Sequence, residues 1–127
     1  MAIKFGIIGC GRIAHRFVQG LRDLDDAELG YVWSRRSESV NSFVEQYGGI
    51  ACGSVDELLS SDIDAVYIAT LPDSHHLYGI LALNAGKHVL CEKPAALNLS
   101  ILETILEVAK NKGLLFMEGM KPPFFPL

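Results

Sequence analysis

The chain of 127 residues is half hydrophobic and one-fifth charged, with a net charge of −4. This is the composition of one globular domain with a single core, and it leaves no room for a second core of comparable size. The acidic balance and the lack of a basic run argue against nucleic-acid binding, and no apolar segment approaches the ~20 residues of a membrane span.

Other composition signals point the same way. Cys10, Cys52 and Cys91 are odd in number and have no CxxC spacing, so they read as reduced thiols of a cytoplasmic protein. The opening "MAIKFGIIGCG" runs from apolar residues straight into glycines and does not read as a signal peptide. His75 and His76 are adjacent and would point in different directions on a helix, and no HxxxH spacing occurs. No metal site is expected.

In chain order, "IKFGIIG" (3–9) is β-branched and aromatic and predicts a buried strand. "RIAHRFVQGLRDL" (12–24) carries Ile13, Phe17, Leu21 and Leu24 at helical spacing. "AELGYVWS" (27–34) predicts a second strand, and "ESVNSFVEQY" (38–47) a helix stopped by Gly48 and Gly49. A short third strand is expected around Ile50–Cys52, followed by a helix to Leu59 opened by a Ser54/Glu57 capping box.

"DAVYIAT" (64–70) is the clearest buried strand. A helix from His75 to Ala85 follows, ended by Gly86, and then the strand of "HVLCEKP" (88–94). Ser100 and Glu103 suggest a second capping box, with an apolar stripe of Ile101, Leu102, Ile105, Leu106 and Ala109 and a stop at Gly113. "LLFMEG" (114–119) predicts a sixth strand. Apolar strands alternating with helices must be covered on both faces, which predicts an α/β domain with a doubly wound parallel sheet.

The proline- and phenylalanine-rich segment 120–127 breaks the pattern. It is expected to open a connection from the domain at 1–119 to a C-terminal substrate and oligomerisation domain. The complete protein is expected to be a homo-oligomer.

"GCGRIA" (9–14) fits G-x-G-x-x-[GA] between the first strand and the first helix, the context that makes this pattern meaningful. Gly9 permits the tight turn and Cys10 follows it. Gly11 lets backbone approach a pyrophosphate, and the amides of Arg12 and Ile13 point at the anion along the helix dipole. The second strand ends "WSRRS", so Ser34, Arg35 and Arg36 stand where an acidic residue would meet a cofactor without a 2′-phosphate. Two guanidiniums suit phosphate, which favours NADP(H), with NAD(H) the alternative. For Arg36, simple solvation of a helix start is the competing reading.

"GCGRIA", "ATLPDSH" (69–75) and "GKHVLCEKP" (86–94) together resemble the N-terminal Rossmann domain of the glucose–fructose oxidoreductase (Gfo/Idh/MocA) family, which has "ATPNxxH" at the second of these places. The likeness spans essentially the whole chain. Its ending, "FMEGMKPPFFP", resembles "MEAxWxRFFP" of the dimeric dihydrodiol dehydrogenase branch. Leu71 and Pro72 depart from the family's Pro and Asn, and Lys121, Pro122 and Pro123 depart from that branch's Trp, variable residue and Arg.

The resemblance implies that Thr70 and Leu71 lie along the nicotinamide-ribose side of the cofactor, with His75 opening the next helix. Glu92 would approach the nicotinamide ribose, and Lys93, the catalytic residue, would reach the reacting carbon. It also implies a cis Lys93–Pro94 bond, and further catalytic groups in the second domain. A lysine beside the cofactor can donate to a substrate oxygen, and Glu92 could hold it in position.

The leading functional reading is an NADP(H)-dependent oxidoreductase acting on a secondary alcohol or carbonyl of a sugar, polyol or diol. An NAD-dependent glycosidase of the same family and a non-catalytic dinucleotide sensor are the alternatives. The Glu-Lys-Pro segment would have no role in a methyltransferase.

Overall fold

A computed structural model describes residues 2–119. The expectations for residues 120–127 lie outside them. Six strands form one parallel sheet: β1 (Ile3–Ile8), β2 (Ala27–Trp33), β3 (Ile50–Ala51), β4 (Ala65–Ile68), β5 (His88–Cys91) and β6 (Phe116–Glu118). Their order across the sheet is β3-β2-β1-β4-β5-β6. Five α-helices connect them: α1 (Arg12–Leu21), α2 (Ser37–Tyr47), α3 (Val55–Leu59), α4 (His75–Asn84) and α5 (Leu99–Lys112). A 3-10 turn, Pro72–Ser74, leads into α4.

The strands carry apolar side chains on both faces because both faces are covered. Ile7, Val32 and Tyr67 pack with Val18 of α1 and Phe43 of α2. Ile8, Val66 and Ile68 point the other way, against Leu58, Leu83 and Ile105 of α3, α4 and α5. Successive residues of one strand thus serve opposite cores, and no polar alternation is left to see in the sequence.

The predicted elements all occur, with boundaries moved where local chemistry differs from pattern. α1 ends at Leu21, and Leu24, counted in its stripe, is exposed. β3 is only two residues long with both side chains exposed, as befits a sheet edge. The Ser54 hydroxyl accepts from the Glu57 amide at 3.1 Å, as a capping box requires, but the Glu57 carboxylate accepts from the Gly53 amide instead of that of Ser54. α5 begins earlier than expected. Its N-cap is Asn98, whose side chain accepts from the Ile101 amide at 2.9 Å, and Ser100 lies inside the helix.

The cap assignment has a measurable consequence. Asn98→Ala should lower the unfolding free energy by about 1 kcal/mol, and Ser100→Ala should change it by less than roughly 0.5 kcal/mol, both read by urea denaturation. A larger loss at Ser100 would return the cap to that residue.

Candidate functional site

The site begins where β1 leaves the sheet. The Gly9 amide donates to Trp33 O and the Ala69 amide to Ile8 O, each at 2.8 Å, so the turn is pinned between the ends of β2 and β4. Gly9 has φ +103°, and a Cβ there would lie 2.8 Å from the carbonyl carbon and oxygen of Ala69. Only glycine fits.

Gly11 is different. A Cβ on it would meet nothing within 4 Å, so the protein's own atoms do not demand a glycine at that position. Gly11 is also the N-cap of α1 with no side-chain cap, which leaves the first-turn amides, those of Arg12 and Ile13 among them, without intrahelical partners. Open space, free donors and the positive end of a helix dipole together fit the phosphate of a bound ligand.

A cavity of about 740 Å³ extends from this turn beyond the carboxyl ends of the strands. Gly9, Cys10, Ser34, Arg35, Arg36, Thr70 and Leu71 all line it. The opposite wall holds Asp73, Ser74, Leu77 and Tyr78, which the sequence reading did not single out. Residues 74, 77 and 78 share one helical face, a signal that becomes legible only once the start of α4 is known. The Tyr78 ring packs edge-on against Trp33 at 5.8 Å.

Arg35 and Arg36 are exposed and make no ion pair, since Lys4–Asp62 is the one ion pair among the described residues. The Cys10 thiol is pushed up to about 11 by burial, with a Ser34 hydrogen bond opposing. It stays a protonated thiol at neutral pH and is no nucleophile.

Arg12, Ile13, His75, Glu92 and Lys93 do not line this cavity. Thr70 and Leu71 line the same cavity as Arg35 and Arg36. His75 is 1 % exposed, and its ring bridges two loops. Nε2 lies 2.8 Å from Thr70 O and Nδ1 lies 2.8 Å from Pro94 O, so the ring faces the loops and not the cavity.

The segment after β5 is tied down from several sides. The Glu92 amide donates to Ile68 O at 3.0 Å. The Ala95 amide donates to Glu118 Oε2 at 2.9 Å. The Lys93–Pro94 peptide is cis. One expectation fails here: Glu92 does not hold Lys93. Its carboxylate accepts from the Tyr67 hydroxyl at 2.6 Å, and Lys93 stands exposed without an ion-pair partner among the described residues.

The sequence reading did not single out Tyr67, although a tyrosine within a purely apolar buried strand signals a hydroxyl that needs a partner. Burial first, and then the Glu92 carboxylate, pushes its pKa well above the ordinary phenol value. Cys91 beside it is pushed up to about 12, chiefly by burial.

This is a doubly wound parallel domain with a glycine turn at the point where strand order reverses. Residues 3–120 match the Gfo/Idh/MocA oxidoreductase family, NAD-binding Rossmann fold, and the chain belongs to that family. It is 40% identical over 126 residues to a scyllo-inositol 2-dehydrogenase (NADP(+)) of Bacillus subtilis, a match covering 98% of this chain and 38% of that protein.

It is also 35% identical over 130 residues to a trans-1,2-dihydrobenzene-1,2-diol dehydrogenase of Danio rerio, covering 99% of this chain and 39% of the relative. A 3-ketoreductase from Actinomadura kijaniata, solved with NADP and TDP-benzene, superimposes with a TM-score of 0.90 at 36% identity, over 94% of this chain and 37% of that one. The chain therefore spans less than two-fifths of the length of these relatives.

The two glycines of the turn should respond differently to the same change. Gly9→Ala should lose roughly 1–3 kcal/mol of stability from backbone strain alone. Gly11→Ala should stay within about 1 kcal/mol of the parent while binding ADP, a pyrophosphate-bearing probe, at least roughly tenfold more weakly. Urea denaturation and calorimetric titration read the two effects. Unchanged ADP affinity in Gly11→Ala would remove the pyrophosphate from this turn.

Proposed function

We propose that residues 1–119 are the dinucleotide-binding domain of an NADP(H)-dependent oxidoreductase. Its substrate is a secondary alcohol or carbonyl of a sugar, polyol or diol, and residues 120–127 open the connection to a second domain that completes the substrate pocket. The observation that carries the cofactor choice is the cavity wall at Ser34, Arg35 and Arg36. There a hydroxyl and two guanidiniums stand at the end of β2, neither arginine in an ion pair among the described residues, and the strand-end segment Ser34–Arg36 itself carries no carboxylate. A ribose 2′-hydroxyl is usually met there by Asp or Glu, whereas a 2′-phosphate is met by arginine.

The relatives support the same choice. The inositol dehydrogenase is named for NADP(+), and the ketoreductase was solved with NADP. Their substrates, an inositol and a diol among them, support the polyol class.

NADP(H), when bound, supplies or accepts the hydride. The open face of Gly11 and the amides of Arg12 and Ile13 hold the pyrophosphate. Gly9 and the Cys10 backbone shape the turn beneath it. Ser34, Arg35 and Arg36 would hold the 2′-phosphate, and Thr70 and Leu71 would lie along the nicotinamide-ribose side. His75 keeps the loop at Thr70 in register with the loop at Pro94. Glu92 accepts from the nicotinamide ribose. Lys93 donates a proton to, or withdraws one from, the reacting oxygen of the substrate. Its exposed, unpaired ammonium supports catalysis over simple sensing, which needs no such group. Free Cys10, Cys52 and Cys91 suit a reducing cytoplasmic setting. The complete protein is, on this reading, a homo-oligomer.

Arg35→Ala should remove a charge-assisted contact of about 1.5–3 kcal/mol from NADPH binding, roughly a ten- to hundredfold loss, and leave NADH affinity nearly unchanged. Fluorescence titration of both cofactors tests this, and equal affinity of the parent chain for the two would refute the NADP(H) assignment.

In the complete enzyme, Lys93→Met should lower turnover by roughly 10²–10⁴ with NADPH affinity kept within a few fold. Turnover that survived the change would move the proton-transfer role to the second domain.

A further inference from the structure

We propose that Tyr67 is a positioning residue: its buried hydroxyl fixes the Glu92 carboxylate in one orientation, aimed at the cofactor and held away from Lys93. The proposal rests on the reading that Glu92 serves the nicotinamide end of the site. Tyr67 is 2 % exposed, in the middle of β4. Its ring stacks on Phe17 of α1 at 3.9 Å with 4° between the planes, so the phenol has no freedom to turn away. Its hydroxyl lies 2.6 Å from Glu92 Oε2. Burial and the adjacent carboxylate keep the phenol protonated, which makes it the donor and Glu92 the acceptor.

The backbone confines the carboxylate as well. A Cβ at Gly119 would come within 2.8 Å of Oε2, so the backbone leaving β6 lies directly against the acid. The Glu92 backbone is bonded to Ile68 O in the neighbouring strand. Among the described residues no donor reaches Oε1, which remains available to a ligand hydroxyl.

A neutral phenol occupies Glu92 Oε2, and no donor among the described residues reaches Oε1. Glu92 therefore stays an acceptor, and Lys93 stays free for the substrate.

The test is a double-mutant cycle in the 127-residue chain, with Tyr67→Phe, Glu92→Gln and both together. NADPH and 2′,5′-ADP serve as ligands, the second carrying only the adenosine half. Tyr67→Phe keeps the stacked ring and deletes the hydroxyl. Each single change should weaken NADPH about three- to tenfold. The double variant should be no weaker than Glu92→Gln alone, and 2′,5′-ADP affinity should be unchanged throughout.

NADPH affinity unchanged in Tyr67→Phe but reduced in Glu92→Gln would overturn the proposal and leave the role of Glu92 standing. Additive losses, or a fall in 2′,5′-ADP affinity, would show that Tyr67 acts by general packing and would also overturn it. So would a Tyr67→Phe chain unfolded by circular dichroism, since the hydroxyl would then be a folding determinant. NADPH affinity unaffected by Glu92→Gln, or a parent chain that binds neither ligand, would sink the cofactor reading and the proposal together.

Discussion

The arrangement depends on the close approach of two backbones, where Gly9 leaves β1 and Ala69 leaves β4. A side chain at Gly9 would overlap the Ala69 carbonyl, so the two strands can run side by side to their ends only because Gly9 has none. From that pair the chain departs in opposite directions. α1 packs with Ile7 and Tyr67 on one face, and α4 and α5 pack with Ile8 and Ile68 on the other. The cavity is the gap this divergence leaves above the strand ends, and every residue that lines it sits on a turn leaving the sheet or on the first turns of α4.

The two ends of the site are built differently. At the glycine turn and along Arg35 and Arg36, donors and charges are left unpaired, a costly arrangement in isolation and a useful one where phosphates are to be bound. Around residues 92–95 the opposite holds. Tyr67, His75, Glu118 and the backbone of Ile68 each hold one group of the segment, so its polar atoms are oriented before any ligand arrives. Preorganisation is valuable where reacting atoms must be aligned, and less so where charge alone attracts a ligand.

Several residues that look reactive are held by burial or hydrogen bonds. Burial raises the Cys10 and Cys91 thiols and keeps both protonated. His75, in a segment that resembles a family signature, is enclosed between two carbonyls and joins two loops. Each is a polar group whose neighbours were brought together by the sheet and its crossovers, and its role follows from those neighbours.

The sequence by itself determined the strand and helix order, the parallel double winding, the glycine turn, the arginines after β2 and the Glu-Lys-Pro segment. All of these are local: periodicity, turn chemistry and short motifs act over a few residues. Only the tertiary structure decided that Asn98 and not Ser100 caps α5, that Thr70 and Leu71 share a cavity with Arg35 and Arg36, and that Glu92 bonds to Tyr67 and not to its neighbour Lys93. Tyr67 and Glu92 lie 25 positions apart, one on β4 and the other just past the end of the adjacent β5. No local pattern encodes such a contact, because it comes from strand order and register: Tyr67 pairs with Leu90, which carries Glu92 to the strand's end within reach of the phenol.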